Sequence, residues 1–238
     1  MGFLSLFLSV LLLNLFAYIT IRIRPFIYKT NLYKPMIWNI KLSIIPFVIL
    51  VGNTILAIIL SYIGTYFELS FMYVIRTIIF ILGLVVWLLA LPNSGYLVTE
   101  LNLSHREADK VEVPIWYDII SMLAFALSGV VNTLANIVIL QVVFLVVYDP
   151  ASLTQENQVF LLLTALAIIC LVSVGIYLGR SIRFNSWDII HIKSFFKKLY
   201  DHFKQKGVIK DACLFIFFHT IFFMILYVSF GIPLYFVG

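Results

Sequence analysis

Arg180, Arg183, Asn185, Trp187 and Asp188 fall within nine residues, where a long apolar run gives way to charge. Two planar, permanently charged guanidinium forks suit phosphate, and an amide and a carboxylate beside them can hold the forks in place. Two further stretches have similar chemistry: Pro92-Asn93-Ser94-Gly95-Tyr96-Leu97-Val98-Thr99-Glu100 and Trp116-Tyr117-Asp118, with the titratable imidazole of His105 between them. Glu100, Asp118 and Asp188 would orient the arginines or hold a divalent ion, and a carboxylate or His105 would be the general base if a reaction takes place. The chain has no Walker loop, nucleophile elbow or His-Glu-x-x-His pattern. The pattern therefore points to recognition of a phosphate-bearing group, and no catalytic residue, metal site or cofactor is assigned.

The elements that must position these residues are membrane spans. Of 238 residues, 63% are hydrophobic and 11% charged, and the mean hydropathy is +1.09. Soluble domains carry about a quarter charged residues, so this is an integral membrane protein. The net charge of +5 gathers beside apolar runs. Anionic lipid headgroups are the nearer partner there, and nucleic acid is not expected. Cys170 and Cys213 lie inside apolar runs without redox or zinc spacing, and read as small hydrophobes.

The fold expected is all-α, a polytopic transmembrane helical bundle forming a single integral membrane domain over 1–238. Spans are expected at about 3–21, 42–63, 71–91, 115–148, 159–179 and 212–236, each near the roughly 20 residues a bilayer core requires. The first lacks a basic residue ahead of its core and a cleavage pattern behind it, so it reads as a retained span and not a secretory signal. Pro25 and Pro35 should break any helix in the basic segment that follows. Ile115–Tyr148 is long for one span and short for two, which would give six spans or seven; a re-entrant first half is the third option. Six spans put every Lys and Arg except Arg76 on one side, which the positive-inside rule makes cytoplasmic, with both termini outside.

Within the fourth span Asp118, Ser121, Ser128, Gly129, Asn132 and Asn136 share one helical face. Lipid offers such groups no partner, so the stripe should face the bundle interior, either as interhelical hydrogen bonding or as the wall of a hydrated cavity. Asn14, Asn53 and His219 read as helix glue. Arg76 sits near the outer end of its helix, where it can snorkel or meet Glu68, Asp149 or Glu156. Gly175 and Gly179 form a small-xxx-small pair that permits close helix approach. From Asp188 to Gly207 the spacing of Ile189, Ile192, Phe196, Leu199 and Phe203, with lysines around the rest of the wheel, predicts an amphipathic helix ending at Gly207. It should lie on the cytoplasmic interface against anionic lipid, or bind a partner.

Pro-Asn-x-x-Tyr-x-x-Thr-Glu at 92–100, Trp-Tyr-Asp at 116–118 and Gly-x-x-Leu-Gly-Arg-x-x-Arg-x-Asn-Ser-Trp-Asp at 175–188 resemble the bacterial membrane-protein family catalogued as domain of unknown function 1361. The similarity runs from about Ile40 onward. It implies a multi-pass protein of the bacterial plasma membrane and brings no activity, substrate or cofactor. Asn93, Tyr96, Thr99, Glu100, Tyr117, Asp118, Arg180, Arg183, Asn185, Trp187 and Asp188 match its motifs, with Glu100 standing where an aspartate is expected.

Three functions fit these residues. The first is a binder or modifier of a phosphate-bearing lipid or isoprenoid headgroup at the cytoplasmic membrane face, held by Arg180 and Arg183. The second is a structural or assembly subunit with a membrane protein partner, whose charges only pair with one another. The third is a small transporter with the Asp118 to Asn136 stripe as its path, although no inverted repeat supports it.

Overall fold

The computed structural model describes residues 2–100, 113–148, 155–182 and 192–230, and every regular element among them is helical. In chain order these are α1 (Gly2–Tyr28), α2 (Lys34–Tyr66), α3 (Phe71–Ala90), the short α4 (Pro92–Gly95) continued by a 3-10 turn (Tyr96–Glu100), α5 (Ile115–Tyr148), α6 (Gln155–Tyr177) ending in a π turn (Leu178–Ile182), α7 (Ile192–Phe203) and α8 (Val208–Ser229). Six segments are long and apolar enough to cross a membrane. Ile115–Tyr148 is one unbroken helix of 34 residues, so among the described residues the stretch is a single span.

The helix expected to stop before Pro25 does not. α1 continues through Arg22, Arg24 and Pro25 to Tyr28. Proline removes one backbone donor at that turn, but side chains beyond it are anchored on α5: Arg24 to Asp118, and Tyr28 edge-on to Tyr117 with ring centroids 5.1 Å apart. Lys29, at φ 54°, then takes the left-handed conformation that closes a helix. Pro35, by contrast, sits in the first turn of α2, where its missing N–H costs nothing. The basic connection is thus shorter than the sequence suggested, with Arg22 and Arg24 on α1 and Lys34 and Lys41 on α2. Gly207 also has a different place. α7 ends at Phe203, and Gly207, at φ 89°, is the residue from which α8 starts.

α5 is the pillar of the bundle. In its most apolar window 78% of residues are buried, against 17–33% for the other five spans. α1, α2, α4, the 3-10 turn, α6 and α8 all touch it, while α2 pairs most extensively with α3 and α6 with α8. Outward faces are apolar: Leu11, Ile58, Val48, Leu82, Leu163 and Phe218 are exposed. In water such a surface would aggregate, and in a bilayer it is solvated by acyl chains.

Hydrocarbon supplies no hydrophobic drive between helices, so close packing has to hold them. Glycine provides it where α4 wedges into the bundle. A Cβ on Gly175 of α6 would lie 2.3 Å from Pro92 Cγ, one on Gly129 of α5 would lie 2.6 Å from Leu97 Cβ and from the Ser94 carbonyl oxygen, and one on Gly95 would lie 2.7 Å from Ile176 Cδ1. On the α3 side, Gly83 leaves room for Asn53, whose Nδ2 donates to the Phe80 carbonyl at 3.0 Å. Among the described residues Arg76 meets hydroxyls, donating to Ser61 Oγ and Thr77 Oγ1 with its guanidinium over the Tyr73 ring. Asp149 and the Glu156 side chain lie outside the described residues.

Overpacking a filled joint costs about 1–3 kcal/mol. Gly175→Ala and Gly129→Ala should each lower the unfolding free energy of the detergent-solubilised protein by that amount, read as a lower unfolding midpoint. Gly52→Ala, where nothing lies within 4 Å, should leave it unchanged or raise it slightly.

Candidate functional site

Polar side chains collect at the end of the bundle where α1 finishes and α5 begins. Pro114 precedes α5, and the N–H groups of Tyr117 and Asp118 fold back onto its carbonyl at 3.0 and 3.4 Å. This puts Asp118 in the first turn, where the helix dipole favours a carboxylate. Arg24 Nε donates to Asp118 Oδ1 at 3.0 Å, with the two side chains 8% and 0% exposed. Arg24 Nη1 also donates to Thr30 Oγ1 at 3.3 Å. Alongside, the Tyr117 hydroxyl donates to the Thr20 carbonyl at 2.7 Å, and Ser121 Oγ to Thr20 Oγ1 at 3.2 Å.

The same face of α5 continues inward. Asn14 and Asn132 exchange reciprocal amide bonds of 2.7 and 3.0 Å. Asn132 Nδ2 also donates to Ser43 Oγ at 3.0 Å, and Ser94 Oγ to the Ser43 carbonyl at 2.6 Å. Trp87 Nε1 donates to Asn136 Oδ1 at 2.9 Å. Beyond the predicted stripe, the Tyr227 hydroxyl donates to Gln141 Oε1 at 2.8 Å, while Gln141 Nε2 reaches the Leu161 carbonyl at 2.9 Å. Asp118, Ser121, Asn132 and Asn136 of the stripe thus bond to α1, α2 and α3, Gln141 adds α6 and α8, and Ser128 Oγ donates within α5 to the Phe125 carbonyl at 2.7 Å.

Of the predicted site residues, the structure brings together those of α4, the 3-10 turn and the end of α6. Thr99 Oγ1 donates to the Tyr96 carbonyl at 2.7 Å, closing the turn, and Arg180 Nη1 donates to the Thr99 carbonyl. Asn93, Tyr96, Thr99 and Glu100 are half-buried and Arg180 is exposed. The π turn that carries Arg180 widens the helix by one residue per turn, a device frequent at functional positions. Asp118 and Tyr117 belong with α1 instead: the carboxylate expected beside Arg180 has Arg24 as its ion-pair partner. His105, Arg183, Asn185, Trp187 and Asp188 lie outside the described residues. Among the described residues no three His, Cys, Asp or Glu side chains gather as a metal site.

α7 is fixed beside this end. The Tyr177 hydroxyl and His202 Nε2 are 2.9 Å apart, and the Tyr177 ring packs against Phe203 and Phe215. Phe196 and Tyr200 remain 60% and 67% exposed, with Lys193 and Lys197 exposed beside them.

Sequence reasoning missed Arg24, Thr20, Ser43 and Gln141. A signal existed for the first: Asn14, Ala17, Ile21 and Arg24 recur at three- and four-residue spacing on α1, the mark of one buried face. His219, expected to join helices, makes its contacts within α8, with Nδ1 2.9 Å from the Phe215 carbonyl and its ring stacked on Phe215.

A family model described as "Protein of unknown function (DUF1361)" matches residues 38–226. No curated protein and no solved structure matches the chain.

Leaving one member of a buried ion pair without its partner costs about 3–5 kcal/mol, whereas replacing both with apolar residues is nearly neutral. Asp118→Asn should destabilise the solubilised protein by that order. The double variant Arg24→Met with Asp118→Leu should recover most of the loss in a double-mutant unfolding cycle.

Proposed function

The chain belongs to the DUF1361 family, which assigns it no activity, and on the geometry of the charged end we propose that this multi-pass membrane protein binds a phosphate-bearing lipid or isoprenoid headgroup at the cytoplasmic membrane face. The observation that carries the proposal is Arg180, an exposed guanidinium at the end of α6 whose Nη1 is tethered to the Thr99 carbonyl. One N–H steadies the side chain, and the rest of its fork lies at the exposed end of the span for a phosphate. Arg183, three residues on, would be the second donor. The exposed lysines of α7 supply a further attraction to an anionic surface, about 1 kcal/mol per basic residue close to it. In this reading Asn93, Tyr96, Thr99 and Glu100 shape the polar edge, and Asp118 is a packing residue.

The packing reading has its own support, because polar side chains of α5 bond to five other helices and Asp118 is paired with Arg24. It makes the protein a structural or assembly subunit. The transport reading draws less support, because Asp118, Ser121, Asn132 and Asn136 of its path are engaged in interhelical bonds.

The two surviving readings part on one double variant. Arg180→Gln with Arg183→Gln should weaken capture of phosphatidic acid or polyprenyl phosphate in liposome flotation by about tenfold or more, since hydrogen bonds to charged groups contribute about 1.5–3 kcal/mol each. Its unfolding midpoint should not move. A destabilised variant with unchanged lipid capture would support the packing reading and sink the headgroup proposal.

A further inference from the structure

Residues of α1, α2 and α5 line a cleft of about 590 Å³. Phe7, Leu11 and Leu15 of α1 and Ile44 and Phe47 of α2 form its walls, with Asn14, Asn132, Ala135 and Asn136 beneath. Leu11 and Leu15 are exposed along one lip and Ile44 along the other, so the cleft opens sideways into the region that lipid occupies. We propose that it holds one acyl chain of an anionic phospholipid, with the lipid phosphate resting on Lys41 and Arg22.

Three features select this occupant. The cleft is aromatic at one end and charged at the other. Phe7 and Phe47 meet edge-to-face there at 6.5 Å, while at the opposite end Tyr18 and Lys41 form the mouth. Arg22 is bound to that mouth, its Nε donating to the Tyr18 hydroxyl at 3.0 Å with the guanidinium 5.5 Å from the ring centroid. Both Arg22 and Lys41 are exposed, so an anion can reach them.

The floor, second, takes a chain and not a headgroup. Asn14 Nδ2 is spent on the Val10 carbonyl and Asn132, and Asn132 Nδ2 on Asn14 and Ser43. With those donors committed, a phosphate gains nothing by entering, and the apolar walls accept methylene groups.

The dimensions, third, fit. From Phe7 to Tyr18 the helix rises about 16 Å, the scale of an extended acyl chain segment. The volume lies in the range of preformed ligand sites, about 300–1,000 Å³, and is too narrow over that length for a partner helix about 10–12 Å across. The proposal does not rest on the headgroup site at Arg180, which lies on other elements.

Full-length protein reconstituted in nanodiscs of equal phosphatidylglycerol and phosphatidylcholine, released and examined by native mass spectrometry, tests it. The wild type should retain one phosphatidylglycerol in preference to phosphatidylcholine. R22Q/K41Q should reduce that retention by about tenfold or more, as two surface cations are removed. Ala135→Phe, which fills the floor, should abolish it with the unfolding midpoint unchanged. If that variant lowers the midpoint, Leu11→Trp on the exposed lip replaces it. Arg180→Gln should leave retention as it is, and this separates the cleft from the headgroup site. Equal retention of the two lipids, undiminished retention in R22Q/K41Q, survival of retention in a folded cleft-filling variant, or its loss in Arg180→Gln would each overturn the assignment.

Discussion

Hydrocarbon offers no hydrogen-bond partner, and α5 carries a carboxylate, three carboxamides and several hydroxyls along its length. Everything else in the bundle follows from the need to satisfy them. α1 brings a guanidinium to Asp118 and an amide to Asn132, α2 brings the Ser43 hydroxyl, α3 an indole N–H to Asn136, and α8 a phenol to Gln141. Such bonds are individually modest in membranes, about 0.6 kcal/mol on average, so their role is selective more than cohesive. They fix which helix lies against which face and at what register. The Arg24–Asp118 pair is the most demanding of them, because neither charge tolerates the site alone.

Cohesion comes from fit. α4 and its 3-10 turn follow directly on α3 and pack against α2, α5 and α6, and Gly95, Gly129 and Gly175, on α4, α5 and α6, leave out the side chains that would block the contact. Ser94 ties this segment to α2, its hydroxyl donating to the Ser43 carbonyl. Its far end delivers the Thr99 carbonyl to Arg180. The candidate headgroup site is thus positioned by main chain packed inside the bundle and not by a surface loop.

Much of this could be read from residue order. The α5 stripe was visible because Asp118, Ser121, Ser128, Asn132 and Asn136 repeat at helical spacing among apolar residues, and the demand for an interior location followed from physics alone. The partners were not visible, since a stripe on one helix does not say which other helix will meet it. Pro25 concealed the most important one: treating it as a helix breaker consigned Arg24 to a loop, and only the anchoring of Arg24 and Tyr28 on α5 explains why the turn survives. The closeness of Gly175 to another element was legible, whereas its actual neighbour, Pro92, depends on how α4 packs against α6, which no periodicity records. Likewise Gly207 has the composition of a stop signal, yet its left-handed backbone serves to start α8.

The family match begins at residue 38, beyond the end of α1, yet it is α1 that neutralises Asp118. The two charges are 94 residues apart. Synthesis proceeds from the N-terminus, so Arg24 reaches the membrane with two further spans still to come before its counter-ion exists. Near the end of its helix it can wait with its guanidinium drawn to the headgroups, as long basic side chains do. Arrival of α5 then gives it a reason to withdraw inward. α1 thus precedes α5 in the chain, yet the pair that seats Arg24 cannot form until α5 is in place.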